Sequence, residues 1–182
     1  MKIFYFATDM NLIRNKFVKD SLKKNNIEVI ESVKPEKSER GFIWFIKLFF
    51  TSFTEKFDIM IIGMGGHPYV LFGKIICFLK NKPLVFDAFI SLYDTNVKDR
   101  ELVAKNSIRS NLYWLLDKYT CILSDLVILD TDHHIKYFQK EFNLNKVKFI
   151  RVLIGSYENK IIYKNNNNFD VKDFKILFFG NF

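Results

Sequence analysis

The strongest constraint on the fold is a regular alternation of short apolar runs and longer helical patterns. Several runs are apolar at almost every position, which is typical of strands buried on both faces of a parallel sheet. The predicted strands are KIFYFA (2–7), IEVIES (27–32), DIMIIG (58–63), PLVFDA (83–88), DLVILD (125–130), VKFIRVL (147–153) and FKILFF (174–179). Helical patterns lie between them, near residues 12–25, 41–54, 69–80, 98–124 and 132–141. This order predicts the α/β class, with an open parallel sheet flanked by helices.

The segment 98–124 shows the clearest helical period. Its apolar residues follow the i, i+4, i+7, i+8 spacing of one helix face. We predict that this stripe is buried against the sheet; it consists of Ile108, Leu112, Leu115, Leu116, Tyr119, Ile122 and Leu123. Arg109 and Lys118 fall off the stripe.

The composition and the last third of the chain indicate the domain organisation. With 182 residues, of which 49% are hydrophobic, the chain can fill one well-packed core. The asparagine-rich stretch 163–173 breaks the periodicity and predicts an exposed linker. We therefore expect one domain over 1–162, a linker over 163–173 and, over 174–182, the first strand of a further domain.

The formal net charge of +8 favours anionic partners. Nucleic acid is not an expected partner, because the lysines are scattered among acidic residues and no helix-turn-helix or RNA-binding aromatic motif is present. The apolar run at the start of the chain is too short for a secretory signal. Cys77 and Cys121 lie in helical runs without the spacing of a zinc site, so we expect two core residues and a cytoplasmic protein.

The candidate site residues follow from the strand pattern, because open parallel sheets bind ligands beyond the carboxyl ends of their strands. In the loop GMGGHP, Gly65 and Gly66 allow a ligand to approach the backbone, and His67 is titratable. Asp9 lies in the loop after the first strand, and Asp87 closes the fourth. The alternatives are a tight turn with a capping histidine for GMGGHP and a turn cap for Asp87; as a general base, Asp87 would have a raised pKa.

The sequence DTDHH (130–134) supports two interpretations. Asp130 and Asp132 resemble the Asp-x-Asp motif with which GT-A glycosyltransferases hold a divalent cation against a nucleotide diphosphate. Asp132 also lies where a helix N-cap is expected, and adjacent helical residues do not face the same point. We therefore favour a cap and predict no metal site.

The segment GFIWFIKLFFTSF (41–53) is apolar nearly all round, with Lys47 as its only charge. It is too short to span a bilayer, which needs about twenty residues. It is either a buried helix or a helix in the membrane interface, with Trp44 inserted and Arg40 near anionic headgroups.

Four stretches, taken in order, resemble the N-terminal domain of GT-B glycosyltransferases of family 4. FDIMIIGMGGHPYVLFGKIICFLKNKPLVFDAF is similar to the family's third strand, loop, helix and fourth strand with its closing aspartate. LDKYTCILSDLVILDTDHHIKYFQKEF resembles the long helix, the strand after it and the next helix, and VKFIRVLIGSYENKIIY resembles the end of the domain. FKILFFGNF is similar to the first strand of the C-terminal domain, so the resemblance extends over 1–182.

This resemblance implies a Rossmann-like fold and the transfer of a sugar from a nucleotide-sugar to a glycan or lipid-linked acceptor, in cell-envelope polysaccharide synthesis at the inner membrane face. Asp87 and His67 fall on acceptor-side positions, where either would take the proton of the attacking hydroxyl. The loop TDMNLIRN departs from the family by lacking its usual glycines. Family resemblance also suggests retention at the anomeric carbon.

The donor-binding residues of the family belong to its C-terminal domain. The resemblance therefore implies a second half, in cis or as a separate polypeptide, and a chain that is inactive and without a nucleotide-sugar site on its own. Two alternatives remain: a non-catalytic binding or scaffold domain, and a metal-dependent GT-A transferase that uses Asp130 and Asp132.

Overall fold

The computed structural model describes residues 1–33 and 42–154. The six strands are β1 (Lys2–Ala7), β2 (Glu28–Val33), β3 (Ile59–Ile62), β4 (Leu84–Phe89), β5 (Leu126–Leu129) and β6 (Phe149–Arg151). They form one parallel sheet in the order β2-β1-β3-β4-β5-β6. The predicted α/β class and Rossmann-like sheet are confirmed. The predicted linker 163–173 and the strand predicted within 174–182 lie outside the described residues.

The five α-helices in the described part of the chain are α1 (Ile13–Lys24), α2 (Phe42–Thr54), α3 (Val70–Lys80), α4 (Ile108–Leu123) and α5 (Asp132–Phe142). A 3₁₀ turn, His67–Tyr69, precedes α3, and a π-helical turn, Asp94–Asp99, precedes α4. The predicted continuous helix over 98–124 is therefore wrong in its first part. Glu101 and Asn106 have positive φ angles, and Ser107 caps α4 by accepting a hydrogen bond from the Ser110 amide, so the helix begins only at Ile108.

The helices divide between the two faces of the sheet. Residues of α2, α3, α4 and α5 pack with one set of strand side chains, which includes Phe4, Ile62 and Phe86. On the other face, α1 packs with the alternate side chains, which include Tyr5 and Val85. None of the helices in the described ranges is long and apolar enough to cross a bilayer.

The orientation of α4 differs from the prediction. Five residues of the predicted buried stripe are exposed, with Ile108 at 91% and Tyr119 at 54%; the other three are Leu112, Leu115 and Ile122. The buried side of α4 instead carries Ser110, Asp117, Thr120 and Cys121. The prediction failed because Asp117 binds groups inside the protein. Its carboxylate accepts hydrogen bonds from Ser91 Oγ (2.7 Å) and from the amides of Leu92 (3.1 Å) and Tyr93 (2.9 Å).

Candidate functional site

The sheet order identifies the place where a ligand would bind. Strand β1 lies between β2 and β3, so the chain reverses its direction of winding at β1 and β3. In doubly wound sheets ligands bind in the crevice beyond the carboxyl ends of the strands at such a switch point. Here the loops after β1 and β3 meet, and the Gly63 amide donates to the Phe6 carbonyl at 2.8 Å.

Asn15, in the first turn of α1, joins these two loops. Its Nδ2 donates to the carbonyls of Asp9 (2.8 Å) and Met64 (3.3 Å). Its Oδ1 accepts from the Met64 amide (2.8 Å) and from the Tyr5 hydroxyl (3.2 Å). A fully buried amide with four partners is a well-satisfied polar group. Asn15 therefore fixes the loops after β1 and β3 relative to each other.

The loops after β1 and β3, in which we predict ligand contacts, lie at the switch point of the sheet. Gly65 is exposed and has φ +82°, a conformation that favours glycine, and a Cβ there would lie 2.9 Å from Thr8 Oγ1. Gly66 is buried, and a Cβ would lie 2.8 Å from the Gly63 carbonyl oxygen. Asp9 is exposed, and its carboxylate accepts from the Asn11 amide at 2.8 Å, which stabilises the loop after β1. Gly65 and Asp9 are thus the exposed predicted residues of the two loops.

Asp87 is fully buried and forms an ion pair with Arg14 of α1. Arg14 Nε donates to Asp87 Oδ2 at 2.8 Å and Nη2 donates to Oδ1 at 3.2 Å. Arg14 Nη1 donates to the Val152 carbonyl at 2.6 Å, just after β6. Two donors of one guanidinium on one carboxylate give a strong, oriented pair. In this arrangement both carboxylate oxygens of Asp87 are engaged, and it does not act as a turn cap.

Burial raises the pKa of Asp87 above its ordinary value, while the Arg14 guanidinium opposes that rise. This raised pKa makes the free energy of unfolding depend on pH. An acid whose pKa is raised in the folded state contributes its stability fully at acidic pH, and that contribution is lost as the pH rises through the folded-state pKa. Burying the Arg14–Asp87 ion pair therefore costs free energy of desolvation.

His67 lies next to the glycines and faces a buried carboxylate. Its Nε2 is 3.4 Å from Asp117 Oδ1, and both side chains are buried. Although this distance is within reach of an ion pair, Nε2 makes no hydrogen bond within the described residues. The ring packs edge-on against Phe86, with centroids 4.9 Å apart. A buried imidazole nitrogen that faces a carboxylate without a formed hydrogen bond is an arrangement that requires an explanation.

The two predicted catalytic residues are not brought together. Asp87 pairs with α1 on one face of the sheet, whereas His67 packs against α4 on the other. Three functional candidates were missed in the sequence: Arg14, Asn15 and Asp117. Arg14 and Asn15 are the last two residues of the predicted site loop TDMNLIRN, of which only Asp9 was singled out. Asp117 lies opposite the apolar stripe of α4, where periodicity predicts solvent.

The motif DTDHH does not bring its carboxylates to one point. His134 Nδ1 contacts Asp130, while the exposed Asp132 contacts Arg151. The N-cap of α5 is Thr131 and not Asp132, because the Thr131 hydroxyl accepts from the His134 amide at 3.2 Å. Within the described ranges, no group of three or more histidine, cysteine, aspartate or glutamate side chains could hold a metal ion.

The predicted membrane-contact residues are only partly described. Trp44 and Lys47 lie in α2, but the structure does not describe their side chains. Arg40 lies outside the described residues. A separate groove of about 640 Å³ lies at the opposite end of the sheet, before β5 and β6, among Asp125, Asn143 and Lys148. It includes none of the predicted site residues.

The comparisons with known proteins show similarity to solved structures. No model of a known protein family and no curated protein matches the chain. The structure is similar to that of Anabaena HepE in complex with UDP, with a TM-score of 0.48 and 15% identity over 86% of this chain and 44% of HepE. For HepE in complex with UDP and glucose the TM-score is 0.48, with 14% identity over 86% of this chain and 45% of HepE. The chain thus spans less than half the length of HepE.

Proposed function

We propose that this chain is the acceptor-binding half of a glycosyltransferase. It would bind a glycan or lipid-linked acceptor for sugar transfer from a nucleotide-sugar, in cell-envelope polysaccharide synthesis at the inner face of the membrane. The proposal is supported by the ordered sequence resemblance and by the contact between the loops after β1 and β3 at the switch point of the sheet. The observation that carries it is the buried contact between His67 and Asp117, in which Nε2 lies 3.4 Å from Asp117 Oδ1 without a hydrogen bond within the described residues.

His67 is the proposed general base. An acceptor hydroxyl must lose its proton as it attacks the anomeric carbon of the donor, and an imidazole is suited to accept that proton near neutral pH. Nε2 faces Asp117, so the proton would be taken by the other ring nitrogen, Nδ1. Asp117 would orient the ring by accepting a hydrogen bond from Nε2–H and would stabilise the imidazolium that forms. Gly65, Gly66 and Asp9 would contact the acceptor at the switch point of the sheet.

Asp87 is also proposed as a catalytic residue, provided that its ion pair with Arg14 opens. Arg14 occupies both of its carboxylate oxygens, so Arg14 must withdraw before Asp87 can accept a proton from an acceptor hydroxyl. The pair also holds α1 to the end of β4 and, through Val152, to the end of β6. Asp87→Asn is therefore expected to lower turnover more than acceptor binding.

The donor is proposed to bind a second domain, present in cis after the linker 163–173 or as a separate polypeptide. Peripheral contact with an anionic membrane through Arg40, Trp44 and Lys47 belongs to the same proposal, as does a cytoplasmic location. No nucleic-acid partner and no cofactor in this chain are proposed.

The test is a transfer assay with radiolabelled nucleotide-sugars and membrane-extracted acceptors. It compares this chain alone with the chain joined to the domain encoded downstream of codon 182. We expect transfer only by the joined protein. In that protein, His67→Gln is expected to lower turnover at least about a hundredfold with little change in acceptor KM. His133→Gln is the matched control, because His133 is exposed on α5.

Two results would contradict the proposal at different levels. If His67→Gln has the same turnover as the His133→Gln control, then His67 is not the base. If no donor supports transfer with any downstream domain, the non-catalytic scaffold interpretation replaces the enzyme.

A further inference from the structure

Helix α3 presents a stripe of large apolar side chains to solvent. Leu71, Ile75, Phe78 and Leu79 are exposed, with Phe78 at 79%. Their spacing of i, i+4, i+7 and i+8 places them on one side of the helix. The opposite side of α3 is buried in the core through Val70, Gly73, Ile76 and Cys77. The outward stripe is therefore additional to the apolar surface that folding requires.

Helix α4 presents a second stripe of the same kind. Ile108, Leu112, Leu115, Tyr119 and Ile122 follow one side of the helix along its whole length, and all five are exposed. Asp117, in contrast, is buried on the other side. A soluble helix normally turns such a stripe inward.

The two stripes belong to neighbouring helices. Helix α3 packs against α4 and also against α2, on the same face of the sheet. At the end of α2, Phe50 and Phe53 are exposed as well, and Phe49 packs on Phe72 of α3 at 6.3 Å between centroids. We call the outward stripes of α3 and α4 the apolar face. Large exposed apolar patches on a protein surface mark interaction sites.

The exposed charges that α3 and α4 themselves carry are basic. Helices α3 and α4 carry Lys74, Lys80, Arg109 and Lys118, and their single acid, Asp117, is fully buried. Lys74 pairs with Asp125 at 3.0 Å, but neither Arg109 nor Lys118 has a salt bridge within the described residues. Lys118 lies over the Trp114 ring, 4.7 Å from its centroid. The partner that complements an apolar face with a basic margin is apolar inside and anionic at its surface.

A second copy of the chain would bring two basic margins together, which opposes self-association.

We propose that the apolar face of α3 and α4 docks into the interface of an anionic lipid bilayer. Leucine, isoleucine and phenylalanine side chains would enter the boundary of headgroups and acyl chains, and Arg109 and Lys118 would meet the anionic headgroups. This surface differs from the predicted contact at Arg40, Trp44 and Lys47. It does not depend on the proposed transferase activity.

The test is co-sedimentation of the chain with vesicles of phosphatidylcholine alone, or of phosphatidylcholine and phosphatidylglycerol in equal parts, at low and high salt. The variant Phe78→Glu/Leu112→Glu replaces one residue of each stripe. The control is Ile13→Glu, which changes an exposed residue on α1, on the other face of the sheet. All variants change exposed side chains, and circular dichroism confirms that each is folded.

We expect binding to the anionic vesicles that weakens with salt, since the Debye length shortens. The double variant should lose at least about tenfold in affinity, because two exposed apolar side chains that would enter the bilayer are replaced by anions. The Ile13→Glu control should bind as the unchanged chain does. Arg109→Gln/Lys118→Gln should lower affinity for the anionic vesicles and leave any binding to neutral vesicles unchanged.

Three outcomes would overturn the proposal. The first is the absence of binding to anionic vesicles, and the second is equal loss in the double variant and the Ile13→Glu control. The third is a dimer in light scattering, without lipid, that the double variant dissociates, since a second copy would then cover this face.

Discussion

Helices α4 and α5 are neighbours on the same face of the sheet, yet they turn opposite kinds of side chains toward it. Helix α5 buries Phe138 and Phe142, which lie 5.2 Å apart between ring centroids, and exposes Lys136 and Lys140. Helix α4 buries Asp117 and exposes residues such as Leu112. The two helices even touch, through Trp114 and Phe142 at 5.6 Å.

This difference shows that helical periodicity locates a stripe but does not determine its direction. In α5 the stripe turns inward and buries Phe138 and Phe142. In α4, a buried carboxylate satisfies two backbone amides and the Ser91 hydroxyl of the preceding loop. An unsatisfied buried amide costs about 1–3 kcal/mol. The apolar stripe is then free to meet a bilayer.

The orientation of α4 should have its strongest consequence for the reactivity of the buried thiols. Cys121 lies on the buried side of α4, and Cys77 lies on the buried side of α3. Burial raises the pKa of Cys77 to about 12 from 9.0 and raises that of Cys121 as well. At pH 8 a rise of three pKa units lowers the thiolate fraction about a thousandfold. We expect iodoacetamide to label both thiols very slowly in the native chain and rapidly in urea, as measured by mass spectrometry. Rapid native labelling of Cys121 would show that α4 is turned the other way.

The next effect is on stability and compares one apolar residue from each helix. Phe142→Ala is expected to lower the free energy of unfolding by about 3–5 kcal/mol, because it leaves a cavity in the core. Leu112→Ala is expected to change it by less than about 0.5 kcal/mol, because the side chain is already in solvent. Urea denaturation followed by circular dichroism measures both. Similar losses for the two variants would mean that Leu112 is buried.

A smaller effect is expected for the buried carboxylate itself. Asp117→Asn keeps the volume but removes one acceptor, so a donor among Ser91, Leu92 and Tyr93 is left unsatisfied. We expect a loss of about 1–3 kcal/mol in the free energy of unfolding. Asp99→Asn is the control, since Asp99 is exposed. If Asp117→Asn unfolds at the same urea concentration as this control, Asp117 does not set the orientation of α4.

The smallest effect concerns the helix starts, where α4 and α5 are alike. Ser107 and Thr131 each accept a hydrogen bond from a backbone amide at the N-terminus of their helix. Ser107→Ala and Thr131→Ala are each expected to cost about 1 kcal/mol. Equal losses in the free energy of unfolding would mean that the two helices differ only in which side chains they bury, and not at their N-termini. A much larger loss in one of them would place part of the difference at the caps.

The fold was predictable from the sequence because strands buried on both faces are apolar at nearly every position. The predicted bounds of β1 agree with the structure, and those of β3, β4 and β5 lie within one residue of it. The start of α4 was not predictable from periodicity, since positive φ angles at Glu101 and Asn106 interrupt a pattern that reads as helical.

The candidate site was predictable in its loops but not in its pairs. Gly65, Gly66 and His67 follow a strand, and that position alone identifies them. The Arg14–Asp87 pair joins residues 73 positions apart, so it appears only once α1 is laid across the sheet. Asp117 was hidden for a different reason: an acid opposite an apolar stripe is normally in solvent.

The most direct test of the central claim places a reporter in the outward stripe of α4. Leu115→Cys should react with a thiol-specific, environment-sensitive fluorophore as fast as an exposed cysteine, while Cys77 and Cys121 stay unlabelled. We predict that anionic vesicles then shift the emission of this probe to shorter wavelength, and that high salt reverses the shift. Slow labelling at position 115, or an emission that vesicles leave unchanged, would contradict it.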